Sequence, residues 1–154
     1  MKTDILIQTN WIKNSLPGID GIVFSSGKVI IMDFYEVINS YNDTKKYFIN
    51  PLCETTLESI LYFNDDIWCE IQKNPKEQIY NDRIFICGEG SMGNEGFIAN
   101  TNKNNTLLWA FFSTSSNPFY KIELENDILK AYSTHDLIYY ININKPEKIT
   151  VSKE

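Results

Sequence analysis

"FYKIELENDILKAYSTHDLIYYINI", residues 119–143, is the stretch that decides the fold class. Within it, the apolar residues Tyr120, Ile122 and Leu124 alternate with charged neighbours, and the same two-residue period returns at residues 137–143. Such alternation predicts β-strands that bury one face and expose the other. Asn126 and Asp127 supply a tight turn, whereas parallel strands would need crossovers of a dozen residues or more. The stretch therefore predicts an antiparallel meander.

Similar short apolar runs lie on both sides of this stretch, separated by turn-forming residues. We predict strands at residues 19–24, 28–35, 47–50, 83–87, 96–100, 106–114, 119–125, 128–133, 137–143 and 148–152. The first two flank Ser25-Ser26-Gly27 and predict a hairpin. Residues 107–112, LLWAFF, are apolar on both faces and predict a central strand covered by a second sheet or by a helix. We expect a single mainly β domain, residues 1–154, with an antiparallel meander or sandwich in its second half and α+β as the alternative.

One segment, residues 56–73, fits two structures. Its apolar residues fall at helical spacing, Thr55 and Glu58 fit a capping box, and Pro75 would stop the helix. However, Asn64-Asp65-Asp66 divides the segment into two similar halves rich in aromatic and β-branched residues, which also suits a hairpin. The helix is favoured, and the hairpin stays open.

The glycine-rich run CGEGSMGNEGF, residues 87–97, contains a literal G-x-G-x-x-G. A dinucleotide-binding loop needs a helix directly after it, with an acidic residue about 20 positions further on. Here a second apolar run and the turn-like TNKNN follow instead, and Glu89 and Glu95 would repel a phosphate. We therefore predict a strand–loop–strand connection whose glycines serve positive φ angles or a bulge.

Composition argues against several classes of function. The net charge is −6 and Arg83 is the sole arginine, which does not suit nucleic-acid binding. No apolar run is long enough to cross a membrane, and the N-terminal residues lack the apolar region of a signal peptide, so we expect a cytoplasmic protein. Three cysteines and one histidine, without metal-ligand spacing, predict no disulfide, metal or cofactor. A Cys87–His135 pair is the one nucleophilic arrangement considered, and it is not favoured.

The acidic residues are concentrated in one segment. Residues 54–70 contain five carboxylates and no lysine or arginine. A localised negative patch steers a basic partner toward it. The predicted partner-binding residues are therefore Glu58, Asp65, Asp66 and Glu70, together with Glu89 and Glu95 of the glycine-rich run. Trp68 is the favoured aromatic anchor, and Trp11 and Tyr62 are the other aromatic candidates.

Four stretches of the second half carry a resemblance to a known class: GEGSMGNEGF, LLWAFF, SSNPF and YYININKPEKI. With the small size and acidic, arginine-poor composition, the chain resembles the immunity proteins that bacteria pair with polymorphic or contact-dependent growth-inhibition toxins. The SUKH immunity superfamily is also similar in its order of turn and strand, but its long N-terminal helix and closing helix are not evident here. The resemblance implies a non-enzymatic protein that binds one cognate toxin domain, often a nuclease, and covers its active site.

Two other functions remain open. A small-ligand-binding or enzymatic β-sandwich would require a closed apolar pocket with converging polar groups. A structural subunit of a homo-oligomer would use exposed strand edges and aromatic residues, of which this chain has many.

Overall fold

The structure is a computed structural model that describes residues 2–154, and within them lie two α-helices and fourteen β-strands. In chain order these are α1 (Thr3–Ile12), β1 (Ser15–Pro17), β2 (Gly21–Phe24), β3 (Lys28–Asn39), β4 (Thr44–Thr56), α2 (Leu57–Phe63), β5 (Trp68–Glu70), β6 (Gln72–Lys73), β7 (Gln78–Tyr80), β8 (Arg83–Glu89), β9 (Gly96–Asn102), β10 (Leu107–Ser113), β11 (Phe119–Glu125), β12 (Ile128–Ser133), β13 (Leu137–Asn142) and β14 (Lys145–Lys153).

The strands form three antiparallel sheets. The large sheet has the order β4-β3-β2-β10-β9-β8-β6, with β7 also paired to β8. Strands β11 to β14 form a four-stranded meander, and β1 pairs with β5. The predicted mainly β class and the antiparallel meander of the second half are confirmed.

Two hydrophobic cores lie on opposite faces of the large sheet. One lies between this sheet and the meander, and the other lies beneath a layer formed by α1, α2 and the β1–β5 pair, which we call the helical layer. Strand β10 serves both cores: Trp109 and Phe111 face the meander, whereas Ala110 and Phe112 face the helical layer. The prediction of a central strand covered on two sides is confirmed.

Helix α1 was not predicted, because its pattern is only weakly amphipathic. Ile7 and Trp11 are buried, but Ile5 and Ile12 are exposed. Its contacts with the sheet explain it better. The Gln8 amide donates to the Leu107 carbonyl and accepts from the Leu107 backbone N–H, each at 2.8 Å. These two bonds hold α1 to β10 where that strand is bulged.

The predicted helix over residues 56–73 is wrong beyond Phe63. Asn64 adopts an extended conformation, and its side-chain oxygen accepts from the Asp66 backbone N–H at 3.1 Å. This local turn competes with the helix and ends it. The chain then enters β5, paired to β1, and β6, paired to β8, so a simple hairpin over the segment is wrong as well.

The predicted hairpin around Gly27 is confirmed: β2 and β3 pair from Val23 with Val29 to Gly21 with Ile31. The next hairpin, formed by β3 and β4, is much longer than the strands predicted at residues 28–35 and 47–50. Strands β3 and β4 stay paired from Lys28 with Thr56 out to Asn39 with Thr44. We call the part from residue 33 to residue 50 the arm. Another deviation lies in β11, where an irregularity in its pairing with β12 leaves Tyr120 exposed and buries Phe119 instead.

Candidate functional site

The most exposed aromatic pair of the described chain lies at the end of α2. Tyr62 and Phe63 are each 84% exposed, and their rings meet edge to face with centroids 5.0 Å apart. Exposed Asp65 and Asp66 follow directly. We call residues 62–66 the acidic–aromatic tip. The tip therefore offers a binding partner both apolar and anionic side chains within five consecutive residues.

Helix α2 orients the tip. Thr56 caps the helix by accepting from the Ser59 backbone N–H at 3.1 Å, one position later than the capping box predicted from the sequence. Leu57 is fully buried, and Ile60 and Leu61 pack against the core beneath the helical layer. Because these residues anchor the inner side of a two-turn helix, the last two residues project into solvent.

The other predicted acids lie at separate places. Glu58 lines an open cavity of about 580 Å³ together with Lys2, Thr3 and Asp4. Glu70 and Glu89 line a separate shallow groove of about 330 Å³ beside Ser91. The structure thus brings Glu70 and Glu89 together, but it divides the acidic segment of the sequence into several distinct places.

Glu95 has a structural role in the loop between β8 and β9. Its Oε1 accepts from the Met92 backbone N–H at 2.9 Å and from the Cys69 thiol at 3.5 Å. A Cβ at Gly90 would lie 2.6 Å from the same oxygen, so Gly90 leaves room for this carboxylate. The predicted strand–loop–strand connection is confirmed, but the loop glycines have no positive φ; among described glycines, only Gly27 does.

Two of the three aromatic candidates are not free anchors. Trp11 is fully buried, and its Nε1 donates to Asn105 Oδ1 at 3.0 Å. Trp68 is only partly exposed and packs against the core beneath the helical layer. Tyr62 alone is fully presented to solvent, and it is joined by Phe63, which the sequence argument missed.

Charge pairing differs between the two sides of the molecule. On the meander, Lys121 pairs with Glu123 at 2.8 Å and Lys130 with Glu125 at 3.4 Å. The hydrogen bond to Glu123 raises the pKa of Lys121. Across residues 2–154, by contrast, no salt bridge involves any of the six predicted carboxylates. We call the side of the molecule that carries the helical layer the helical side. It therefore presents negative charge that no cation of the described chain neutralises in a direct pair.

The two groups considered for nucleophilic chemistry are in unlike environments. Burial raises the pKa of the Cys87 thiol to about 12, so this thiol stays protonated at neutral pH. His135 is exposed in the turn between β12 and β13. Residues 2–154 contain no group of three or more His, Cys, Asp or Glu side chains placed to hold a metal ion. In the described part of the chain, no helix is both long and apolar enough to cross a membrane.

Comparison with known proteins gives no family assignment. No protein-family model matches the chain, and no curated protein matches it in sequence.

Proposed function

We propose that this chain is a non-enzymatic binding protein, an immunity protein that neutralises a basic bacterial toxin domain by covering its active site. The observation that carries the proposal is the acidic–aromatic tip: Tyr62 and Phe63, each 84% exposed, beside two carboxylates without a salt-bridge partner in the described chain. In this role the protein acts in the cytoplasm of the cell that it protects.

The two halves of the tip contribute differently to binding. Aromatic side chains dominate interface energetics, and truncating one at a hot spot weakens binding by about 2 kcal/mol or more, roughly thirtyfold in Kd. The carboxylates add long-range attraction, which raises the association rate with a basic partner and is weakened by salt. A toxin that acts on nucleic acid is basic around its cleft, so a negative surface suits it.

The rest of the helical side supports the same assignment. Glu58, Glu70 and Glu89 all lie on elements of this layer or at its edge, without a salt bridge in the described structure. They extend the negative potential beyond the tip. The meander offers no comparable field, because within residues 119–153 five lysines balance five carboxylates, and two of the lysines pair directly with Glu123 and Glu125.

A capture experiment with three baits tests the proposal. The baits are the wild type, a tip variant (Tyr62→Ser, Phe63→Ser, Asp65→Asn, Asp66→Asn) and a matched control. The control changes two exposed apolar residues and two acids around β7: Glu77→Gln, Ile79→Ser, Tyr80→Ser and Asp82→Asn. Each bait is immobilised and exposed to lysate and secreted proteins of the source organism, and retained proteins are quantified.

We expect the wild type and the control to retain one basic protein in stoichiometric amount and the tip variant to lose it. The retained protein is then purified and its toxic activity measured with and without one equivalent of the chain. Equal retention by all three baits would contradict the tip as the site. Retention of no basic protein, or activity unaffected by the chain, would contradict the proposed function itself.

A further inference from the structure

One face of the arm has exposed aromatic side chains at its centre, and neither hydrophobic core includes them. On β3 and β4, Phe34 and Ile49 face the core under the meander, so their strand neighbours Tyr35 and Phe48 point to the opposite face. That face is the one on which the helical layer lies. Tyr35 is 41% exposed and Phe48 is 38% exposed, and their rings stack with centroids 5.3 Å apart.

The same face carries opposite charges at opposite corners. Three cross-strand pairs form it: Asp33 with Asn50, Tyr35 with Phe48, and Val37 with Lys46. The aromatic pair is central, and Asp33 and Lys46 lie diagonally across it. The Asn50 amide donates to the Tyr35 hydroxyl at 3.1 Å and fixes the ring.

We infer that this face of the arm is a self-association surface whose occupant is a second copy of the chain. Two copies packed face to face about a two-fold axis perpendicular to the line from Asp33 to Lys46 place Asp33 of each over Lys46 of the other. From the usual spacing of strands and residues, the strands of the two copies then cross at roughly 40°, close to the aligned way in which sheets pack. The aromatic pairs of the two copies meet at the centre. Each copy uses the same surface to contact the other, as an isologous dimer requires.

Face packing is favoured over pairing of strand edges. Strand β4 is the edge of the large sheet, but it carries Lys45, Lys46 and Pro51, and its register with β3 is irregular beside Met32. Lysines, proline and bulges at an edge all oppose the addition of another strand. The face, in contrast, has exposed aromatic side chains at its centre, and the charge of its Lys46 can pair with Asp33 of the other copy.

The small area of the patch indicates a weak dimer. Its six side chains supply on the order of 500 Å² per copy, below the roughly 800 Å² of a standard interface. The dimer is therefore weak and depends on protein concentration. None of the six residues of the patch belongs to the acidic–aromatic tip.

Sedimentation equilibrium over a wide concentration range tests this inference. The wild type is expected to move from monomer toward twice that mass, and Tyr35→Ser with Phe48→Ser to remain monomeric. Asp33→Lys alone should raise the dissociation constant at least about tenfold, because it places like charges together at both corners. Adding Lys46→Asp to Asp33→Lys should restore the wild-type constant.

The control replaces two exposed isoleucines of α1, Ile5→Ser with Ile12→Ser, and should dimerise as the wild type does. A wild type that stays monomeric at every concentration would overturn the inference. So would a dimer that the Asp33 and aromatic variants leave unchanged, or a charge swap that fails to recover association. Because the charge variants alter only exposed side chains, their outcome does not depend on a change of fold.

Discussion

Single side chains connect the helical layer to the large sheet, and Gln8 is the clearest case. Its amide forms two hydrogen bonds to the backbone of Leu107, a fully buried residue at the bulge of β10. A buried backbone group left without a partner costs roughly 1–3 kcal/mol. Gln8 therefore matters more for stability than its polar character suggests.

We expect Gln8→Ala to lower the free energy of unfolding by about 1–3 kcal/mol in urea denaturation. Thr9→Ala is the control, because the Thr9 hydroxyl donates only to the Ile5 carbonyl on the exposed side of the same helix. Its effect should stay within about 0.5 kcal/mol. Equal losses in the two variants would show that the Gln8 bonds contribute nothing specific.

Cys87 makes stability depend on pH in the alkaline range. Its pKa is 9.0 as a free thiol and about 12 when buried in the folded chain. Between these values the unfolded chain has lost the proton and the folded chain keeps it. Folding then takes up a proton, so the free energy of unfolding falls as pH rises above 9, by at most about 1.4 kcal/mol per pH unit. Well below pH 9 the thiol is protonated in both states and contributes no slope.

Urea unfolding of the wild type and of Cys87→Ala at several pH values checks this expectation. The slope between about pH 9 and pH 10 should be flatter in Cys87→Ala than in the wild type. Cys53→Ala, which alters an exposed thiol, should keep the wild-type slope. Parallel curves for the wild type and Cys87→Ala would contradict the assignment. Burial also raises the pKa of Tyr139, and its contribution remains in all three proteins.

At the scale of elements, the loop between β8 and β9 contains two glycines with different surroundings, Gly90 and Gly93. Gly90 makes room for the Glu95 carboxylate that holds the loop, whereas a Cβ at Gly93 would meet no atom within 4 Å. Neither residue has a positive φ. The two positions therefore respond oppositely to the same substitution.

Gly93→Ala should leave stability unchanged or raise it by up to about 1 kcal/mol, because it restricts the unfolded chain. Gly90→Ala should destabilise, because the methyl group displaces Glu95 from its bond to the Met92 N–H. Thermal unfolding of the two variants decides between these effects. The same loss in both would indicate that the loop tolerates no side chain at all.

The sequence predicts elements well where periodicity and turns agree. The meander has clear two-residue alternation bounded by Asn and Asp, and Asn126 and Asp136 do adopt positive φ in its turns. Helix α1 escapes such prediction because it depends on tertiary bonds from Gln8 rather than on an amphipathic pattern. The length of the arm could not be predicted from alternation either. The neighbours Val37 and Ile38 point to opposite faces of β3 and both are apolar, so the sequence there lacks the two-residue pattern of a strand.

The candidate site likewise contains some residues that the sequence predicts and others whose exposure depends on the fold. Asp65, Asp66 and Tyr62 could be chosen from charge and composition alone. The exposure of Phe63 and the packing of Trp68 against the core could not be predicted in this way, because both depend on where α2 ends. That end is set by the local turn at Asn64, which a helical pattern running through residue 71 conceals.

For the whole molecule, the central feature is asymmetry between its two sides. Across the meander, residues 119–153, five lysines balance five carboxylates, whereas the helical side bears the tip and further acids without salt bridges in the described structure. With a net charge of −6, the field is directed from one side. A partner steered by that field should therefore approach the tip rather than the meander.

The placement of the binding surface at the tip is tested most directly by the association rate of the captured basic partner with the wild type and with the Asp65→Lys, Asp66→Lys variant, at low and at high salt. We expect charge reversal to lower the association rate by roughly tenfold or more at low salt and much less at high salt. Reversal of Asp127 and Asp136 in the meander turns should have little effect. Rates unchanged by reversal at Asp65 and Asp66 in both salt regimes would contradict the placement of the binding surface at the tip.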